Sequence, residues 1–180
     1  MTVAGAMDNT PAGCAERLGR QEFERFYAST ARALRSYICR VAANASLADD
    51  ILQESYVRLL NAPPLPESQL KSYLYRTATN LITDHHRAQE RHRRWWQLRS
   101  RPQEAADSRV ELSSDMERLF ARISRQERGL LWLAYVEGED HRQIAAILKL
   151  KESSIKVLLY RARRKMETIL KEHGFEASYE

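Results

Sequence analysis

The chain has 180 residues, 43% of them hydrophobic and 29% charged, with a formal net charge of +5. That length allows one domain or two small ones, and the apolar share is enough for a packed core. Gly and Pro are few, aromatics make up only 8%, and no run of alternating Val, Ile and Thr occurs. These features exclude a strand-rich protein and point to an all-α chain.

The distribution of charge says more than its total. Residues 85–101 hold six arginines against one glutamate, and residues 151–165 hold six lysines or arginines against one glutamate. Each stretch is therefore +5, and the rest of the chain is −5. Two basic patches on an otherwise acidic chain are the footprint of two contacts to a polyanion. The two cysteines, Cys14 and Cys39, form no CxxC pair, so a disulfide framework is not expected and a reducing compartment suits the chain. No apolar run reaches the length of a membrane span and no signal pattern opens the chain, so a cytoplasmic protein without membrane insertion is expected.

Residues 1–19 read as a mobile tail. A first helix is expected from Gln21 to Ala43, burying Phe23, Phe26, Tyr27, Leu34, Tyr37, Ile38 and Val41. Ser46 and Asp49 have capping-box spacing for a second helix, with Leu47, Ile51, Leu52, Tyr56, Leu59 and Leu60 inward. Asp49, Asp50, Gln53 and Glu54 crowd its opposite side. One or two of these acids suit the positive end of the helix dipole. The whole patch also suits docking to a basic partner.

Three prolines make NAPPLPES, residues 61–68, a stiff loop. A long third helix follows, from Glu67 to the region of Trp95. Leu70, Tyr73, Leu74, Thr77, Ala78, Leu81 and Ile82 form its apolar face. Lys71, Arg76, Asn80, Asp84 and Arg87 lie on its exposed side, and then the arginine run begins. An Asn/Asp/Arg face near aromatics suits splayed single-stranded DNA, although a solvated helix flank accounts for the same residues. His85, His86 and His92 lack zinc-ligand spacing and stand among arginines, so no metal is assigned. Trp95 and Trp96 fit either a core cap or a stacking role. The helical period then disappears over residues 97–113, which read as a linker.

The second domain opens at Ser114, with Glu117 at capping-box spacing and Met116, Leu119, Phe120 and Ile123 on one face. Ser124 and Glu127 begin another helix, which buries Leu130, Leu131, Leu133 and Ala134 and part of Trp132 and Tyr135. It stops at Glu137-Gly138. Asp140 and Gln143 cap a short helix with Ile144, Ala145 and Leu148 on one face. A turn at Leu150 leads to a basic helix. That last helix buries Ile155, Leu159, Ala162, Met166 and Ile169. Ser153, Ser154, Lys156, Val157, Tyr160, Arg161, Arg163 and Arg164 lie on its other face. A short helix, a turn and a longer basic helix form the helix-turn-helix layout that places its second helix in the DNA major groove.

Several stretches together resemble one family. SLADDILQESYVRLLN is similar to the acidic second helix of bacterial extracytoplasmic-function (ECF) sigma factors of the sigma-70 family. LKSYLYRTATNLITDHHRAQERHRR resembles that family's promoter-melting helix. MERLFARISRQERGLLWLAYVEGEDHRQIAAILKLKESSIKVLLYRARRKM resembles its C-terminal DNA-binding domain. The resemblance implies two small helical domains. Residues 20–96 would be a region 2-like domain, 97–113 a flexible linker threading the polymerase, and 114–180 a region 4-like helix-turn-helix domain.

It also implies a non-enzymatic transcription initiation factor with no cofactor. Its partners would be core RNA polymerase, promoter DNA and an anti-sigma factor, and it would act as a monomer. By position, Asp49, Asp50, Gln53 and Glu54 would dock on the polymerase. Arg76, Asn80, Asp84 and Arg87 would hold the minus-ten element, with the loop 61–68 helping to form the pocket. Ser153, Ser154, Lys156, Val157, Tyr160 and Arg161 would face the minus-thirty-five element. The chain departs from the family's pattern at Lys149, where the turn usually has Gly. It departs again at Lys151 and Glu152, where a small cap is usual and Ser153 could take over the cap. Leu158 replaces a basic residue, and Tyr160 a small one. The alternatives are a stand-alone helix-turn-helix regulator and a sigma mimic that keeps only the protein-binding surface.

Overall fold

The computed structural model describes residues 18–99 and 115–175, which form seven helices and no strand. They are α1 (Arg20–Ala42), α2 (Ala48–Leu60), α3 (Glu67–Arg99), α4 (Asp115–Ala121), α5 (Arg125–Tyr135), α6 (His141–Leu148) and α7 (Glu152–Glu172). The all-α expectation holds, and helices fall where the hydrophobic period puts them. The tail expected over residues 1–17, the linker over 100–114 with the cap at Ser114, and the chain end at 176–180 lie outside the described residues. α3 runs three residues into the stretch read as linker.

α1, α2 and α3 pack through Leu34, Ile38 and Val41, Ile51, Tyr56 and Leu59, and Leu70, Leu74, Ala78 and Ile82, all buried. Removing each fully buried aliphatic side chain from water contributes roughly 1.5–3 kcal/mol. Two expected core residues are instead exposed. Tyr27 lies in the N-terminal half of α1, where it rests on Tyr56 with centroids 4.8 Å apart. Leu60 faces out in the last turn of α2, beside the proline loop. Ser46 does not cap α2. The N-cap is Leu47, without a side-chain bond, and Ser46 donates from both N–H and Oγ to Asn44 Oδ1. Asp49, freed from a capping box, pairs with Arg35 of α1.

In the second half the capping boxes Ser124/Glu127 and Asp140/Gln143 are both closed. They satisfy N–H groups that a helix start leaves unpaired. Lys149 adopts the left-handed conformation, φ 56° and ψ 47°, and the Leu150 N–H then reaches the Ala145 carbonyl at 3.0 Å. The turn therefore keeps glycine's geometry with a lysine. Ser153 does not cap α7. The N-cap is Lys151, and Ser153 sits inside the first turn. Met116 and Tyr135, expected inside, are exposed on a groove described below.

The two halves pack on each other. α5 lies against α1, and α6 against α3. Gly129 brings α5 close to α6: a Cβ there would press on Leu148 Cδ2 at 3.2 Å, whereas Tyr37 Oη of α1, at 3.6 Å, is in ordinary contact. Glycine in a helix interior costs roughly 1 kcal/mol relative to alanine, and here it permits helix contact. Tyr37 and Tyr75 are buried in the seam with ring centroids 5.0 Å apart. Tyr37 Oη shares a 2.7 Å hydrogen bond with Thr79 Oγ1. Burial pushes both phenols above their ordinary pKa.

Charged groups tie the seam further. Lys71 Nζ lies 3.3 Å from Glu137 and 2.7 Å from Glu139, whose side chains are only 7% and 8% exposed. Lys71 is thus half-buried rather than on the exposed side. Arg40 of α1 pairs with Glu117 of α4. Arg128, 7% exposed, donates from Nε and Nη2 to the Val41 carbonyl (3.1 and 2.7 Å) and from Nη1 to the carbonyls of Ala121 and Ile123 (3.1 and 2.8 Å). It thereby caps the C-terminal ends of α1 and α4 with one cation, the favourable sign at that end of a helix dipole. Burial lowers its pKa to about 10.

Candidate nucleic-acid interface

α7 sets its apolar residues Ile155, Leu159, Ala162 and Ile169 into the core, and this fixes which residues point away. Ser153, Lys156, Val157, Tyr160 and Arg161 are exposed, and Ser154 is half-buried. All six expected minus-thirty-five residues therefore share the outer side of the helix. Leu158 turns partly onto the core. Of the basic residues on α7, Arg164 pairs with Glu167 at 2.9 Å and Lys165 with Glu127 at 3.0 Å. Lys156, Arg161 and Arg163 make no ion pair among the described residues, so their charge is available to an anion.

α3 carries the second face. Arg76, Asn80, Asp84 and Arg87 follow each other at steps of four, four and three, one stripe of a helix. Arg76, Asp84 and Arg87 are exposed and Asn80 is half-buried. The Arg76 guanidinium lies 5.5 Å from the ring centroid of Tyr73, which keeps it against an aromatic face. The neighbouring side of α3 holds Tyr75, Thr79 and His86 toward the seam. His86 is half-buried, its Nε2 without a hydrogen bond. Burial and then the cation of Arg125 lower its pKa, with His85 and Arg128 adding to this, while a hydrogen bond with the Ala42 backbone works the other way.

The acidic face of α2 is exposed as expected: Asp49, Asp50, Gln53 and Glu54 all reach solvent. Two of the acids are engaged within the chain. Arg35 holds Asp49 through Nε–Oδ1 at 2.7 Å and Nη2–Oδ2 at 3.1 Å, and that hydrogen bond lowers the Asp49 pKa. Arg58 holds Glu54 at 2.8 Å. Asp50 and Gln53 have no such pair among the described residues.

A surface that sequence reasoning missed lies between α4, α5 and α7. Phe120, Leu131, Trp132, Tyr135, Met166 and Leu170 line an open apolar groove of about 650 Å³, with Arg40, Arg163 and Glu167 at its edges. Helical period alone assigns Met116 and Tyr135 to a core; three-helix packing leaves them at the rim. Trp95 and Trp96 are about half exposed, so they do not cap the core. Among the described residues no cluster of three His, Cys, Asp or Glu could hold a metal, and no helix is long and apolar enough to cross a membrane.

Two family models match in order along the chain: Sigma-70 region 2 over residues 26–92, and Sigma-70, region 4 over residues 113–166. The ECF RNA polymerase sigma factor SigL of Mycobacterium tuberculosis is 24% identical over 156 residues, spanning 82% of this chain and 88% of SigL. Sigma factor RpoE, solved with the anti-sigma factor NepR from Bartonella quintana, has a TM-score of 0.67 and 19% identity. The match covers 84% of this chain and 98% of RpoE. CnrH, solved with the cytosolic domain of CnrY, has a TM-score of 0.62 and 21% identity over 86% of this chain and 90% of CnrH. Such identities speak for a shared fold.

Proposed function

This chain belongs to the ECF group of the sigma-70 family, and on that premise we propose how its surfaces divide the work of initiating transcription. It binds core RNA polymerase, directs it to specific promoters and helps melt the minus-ten element. The observation that carries this is the ordered pair of region matches, each with its own exposed polar face. A stand-alone regulator is not favoured, because it has no use for an acidic docking face on α2 ahead of the long polar helix.

We assign docking on the polymerase to Asp49, Asp50, Gln53 and Glu54, with Asp49 and Glu54 exchanging Arg35 and Arg58 for the basic surface as it arrives. Asn80 and Asp84 offer hydrogen-bonding groups to an unstacked base, and Arg76 and Arg87 hold the adjoining phosphates; the loop at 61–68 closes the pocket. Ser153, Ser154, Lys156, Val157, Tyr160 and Arg161 read the minus-thirty-five element. The two helical domains span 20–96 and 114–180, and the segment between them passes through the polymerase. The factor acts as a single copy in the cytoplasm, without a reaction of its own. An anti-sigma factor is a further partner, a reading supported by the fold shared with RpoE in its NepR complex.

The two promoter elements are named for positions about 25 base pairs apart, about 85 Å along the duplex at about 3.4 Å per pair. A compact chain of this length has a radius of gyration of only about 16 Å. Both elements can be engaged together only if the seam between the helix groups parts, so the closed arrangement is not the one that holds both.

The test is transcription in vitro with core polymerase, this protein and sheared genomic DNA from its source. Discrete starts that depend on the protein are expected. No starts with core still bound would turn the reading to an adaptor, and duplex binding without core binding would turn it to a solo regulator.

A further inference from the structure

The stripe on α3 does not end where the first domain's core ends. α3 is one uninterrupted helix to Arg99, and residues 87–96 stand clear of the core with every side chain exposed. Asn80 and Trp95 are fifteen residues apart, about 22 Å along a helix that rises about 1.5 Å per residue. Eleven residues separate Asp84 from Trp95, which at about 100° per residue puts them within about 20° of each other around the axis. Arg87, Arg91 and Arg94 fall on the same side, at steps of four and three. Trp95 therefore lies in line with Asn80 and Asp84, with arginines between.

The tryptophan is also held in place. Trp96 Nε1 donates to His92 Nε2 at 2.9 Å. Its ring meets Trp95 edge-on, with centroids 5.1 Å apart and planes at 86°. Trp96 thus acts as a brace, and Trp95 remains 47% exposed. Four arginines against Glu90 between residues 87 and 94 make the surroundings strongly cationic. An exposed, braced indole among cations suits a base with its phosphates, because every base has a face to stack on and every nucleotide carries a charge. A protein partner would have to bring a matching acidic patch. The region 2 match ends at residue 92, three residues before Trp95.

We propose that Trp95, braced by Trp96 and flanked by Arg91 and Arg94, stacks on an unpaired base of the opened promoter strand, extending the minus-ten face toward the end of α3. The proposal rests on the minus-ten assignment of α3 made above.

The full-length chain would be titrated at about 50 mM salt against a fluorescein-labelled oligothymidine about twenty nucleotides long and against a random-sequence duplex. Affinity for core polymerase would be measured alongside. Trp95→Ala is expected to weaken oligothymidine binding about tenfold, and Trp95→Phe less than about threefold, because phenylalanine still stacks. Duplex and core affinities should change less than about twofold. Four results would each overturn the proposal: no oligothymidine binding by the unmodified chain, an unchanged Trp95→Ala, a Phe variant no better than Ala, or an equal loss on duplex or core. The thermal midpoint of each variant reports on folding, and a side chain this exposed should leave it unchanged. Failure of the parent reading is separable. If Asn80→Ala with Asp84→Ala leaves promoter opening intact, the minus-ten assignment falls while the oligothymidine result stands.

Discussion

Replacing Arg128 by methionine keeps most of the aliphatic stem and removes a guanidinium that makes four hydrogen bonds to three carbonyls. Of the three carbonyls only that of Val41 belongs to the other half of the protein, so the two hydrogen bonds to it are the ones by which Arg128 crosses the seam. Hydrogen bonds to a charged donor contribute roughly 1.5–3 kcal/mol, and a buried carbonyl left without a donor costs roughly 1–3 kcal/mol more. Against this stands the cost of keeping a guanidinium out of water, which is also what pulls its pKa down to about 10. The expected net loss is about 2–3 kcal/mol. Equilibrium urea unfolding would measure it, and amide hydrogen exchange along the C-terminal turn of α1 and the N-terminal half of α5 would locate it. Arg128→Lys should fall between, since one ammonium cannot span three carbonyls. A Met variant within about 0.5 kcal/mol of the original, with unchanged exchange at Val41 to Ala43, would refute the claim that this cation holds the seam.

Other outcomes are expected from single sites. His86 has a folded pKa below its ordinary 6.5, so the unfolded chain binds more protons just below that value. Stability should therefore be complete above about pH 6.5 and fall as the pH drops toward the folded pKa. His86→Gln should flatten that part of the profile, and an unchanged slope would assign the acid sensitivity to other groups. Lys149→Gly should raise stability by about 1 kcal/mol in thermal melts, because glycine takes the left-handed turn without a Cβ clash. A loss instead would mean that the lysine stem packs usefully there. Asp49→Ala combined with Gln53→Ala should weaken core polymerase binding roughly tenfold with the melt unchanged, the size of effect that marks central interface residues. Unchanged affinity would remove α2 from the docking surface. Arg161→Ala should cost about 1–3 kcal/mol at promoters with a preferred base and shift sequence preference. A uniform loss across promoters would make it a phosphate contact.

Much of the molecule was legible in local pattern. The spacing of Ile155, Leu159, Ala162 and Ile169 is enough to turn Lys156, Tyr160 and Arg161 outward, because a helix that buries one stripe must show the other. The same logic brought out the stripe of Arg76, Asn80, Asp84 and Arg87 and the acidic face of α2. Capping boxes at Ser124 and Asp140 were readable because both partners lie within one turn. The same spacing misled at Ser46, where Asn44 competes for the serine and Arg35, fourteen residues away, takes the aspartate.

The amino-acid sequence by itself determined the helices, their order, the two basic surfaces and the family. All of these depend on interactions within a few residues or on a linear order of motifs. The tertiary structure alone decided the seam. Tyr75, Lys71, Arg128 and His86 break no periodic pattern, and their roles at the seam exist only because α5 and α6 lie on α1 and α3. It also decided where Trp95 and Trp96 go. The helix that carries them outlasts the core beneath it, so two residues with every chemical reason to be buried are left facing solvent.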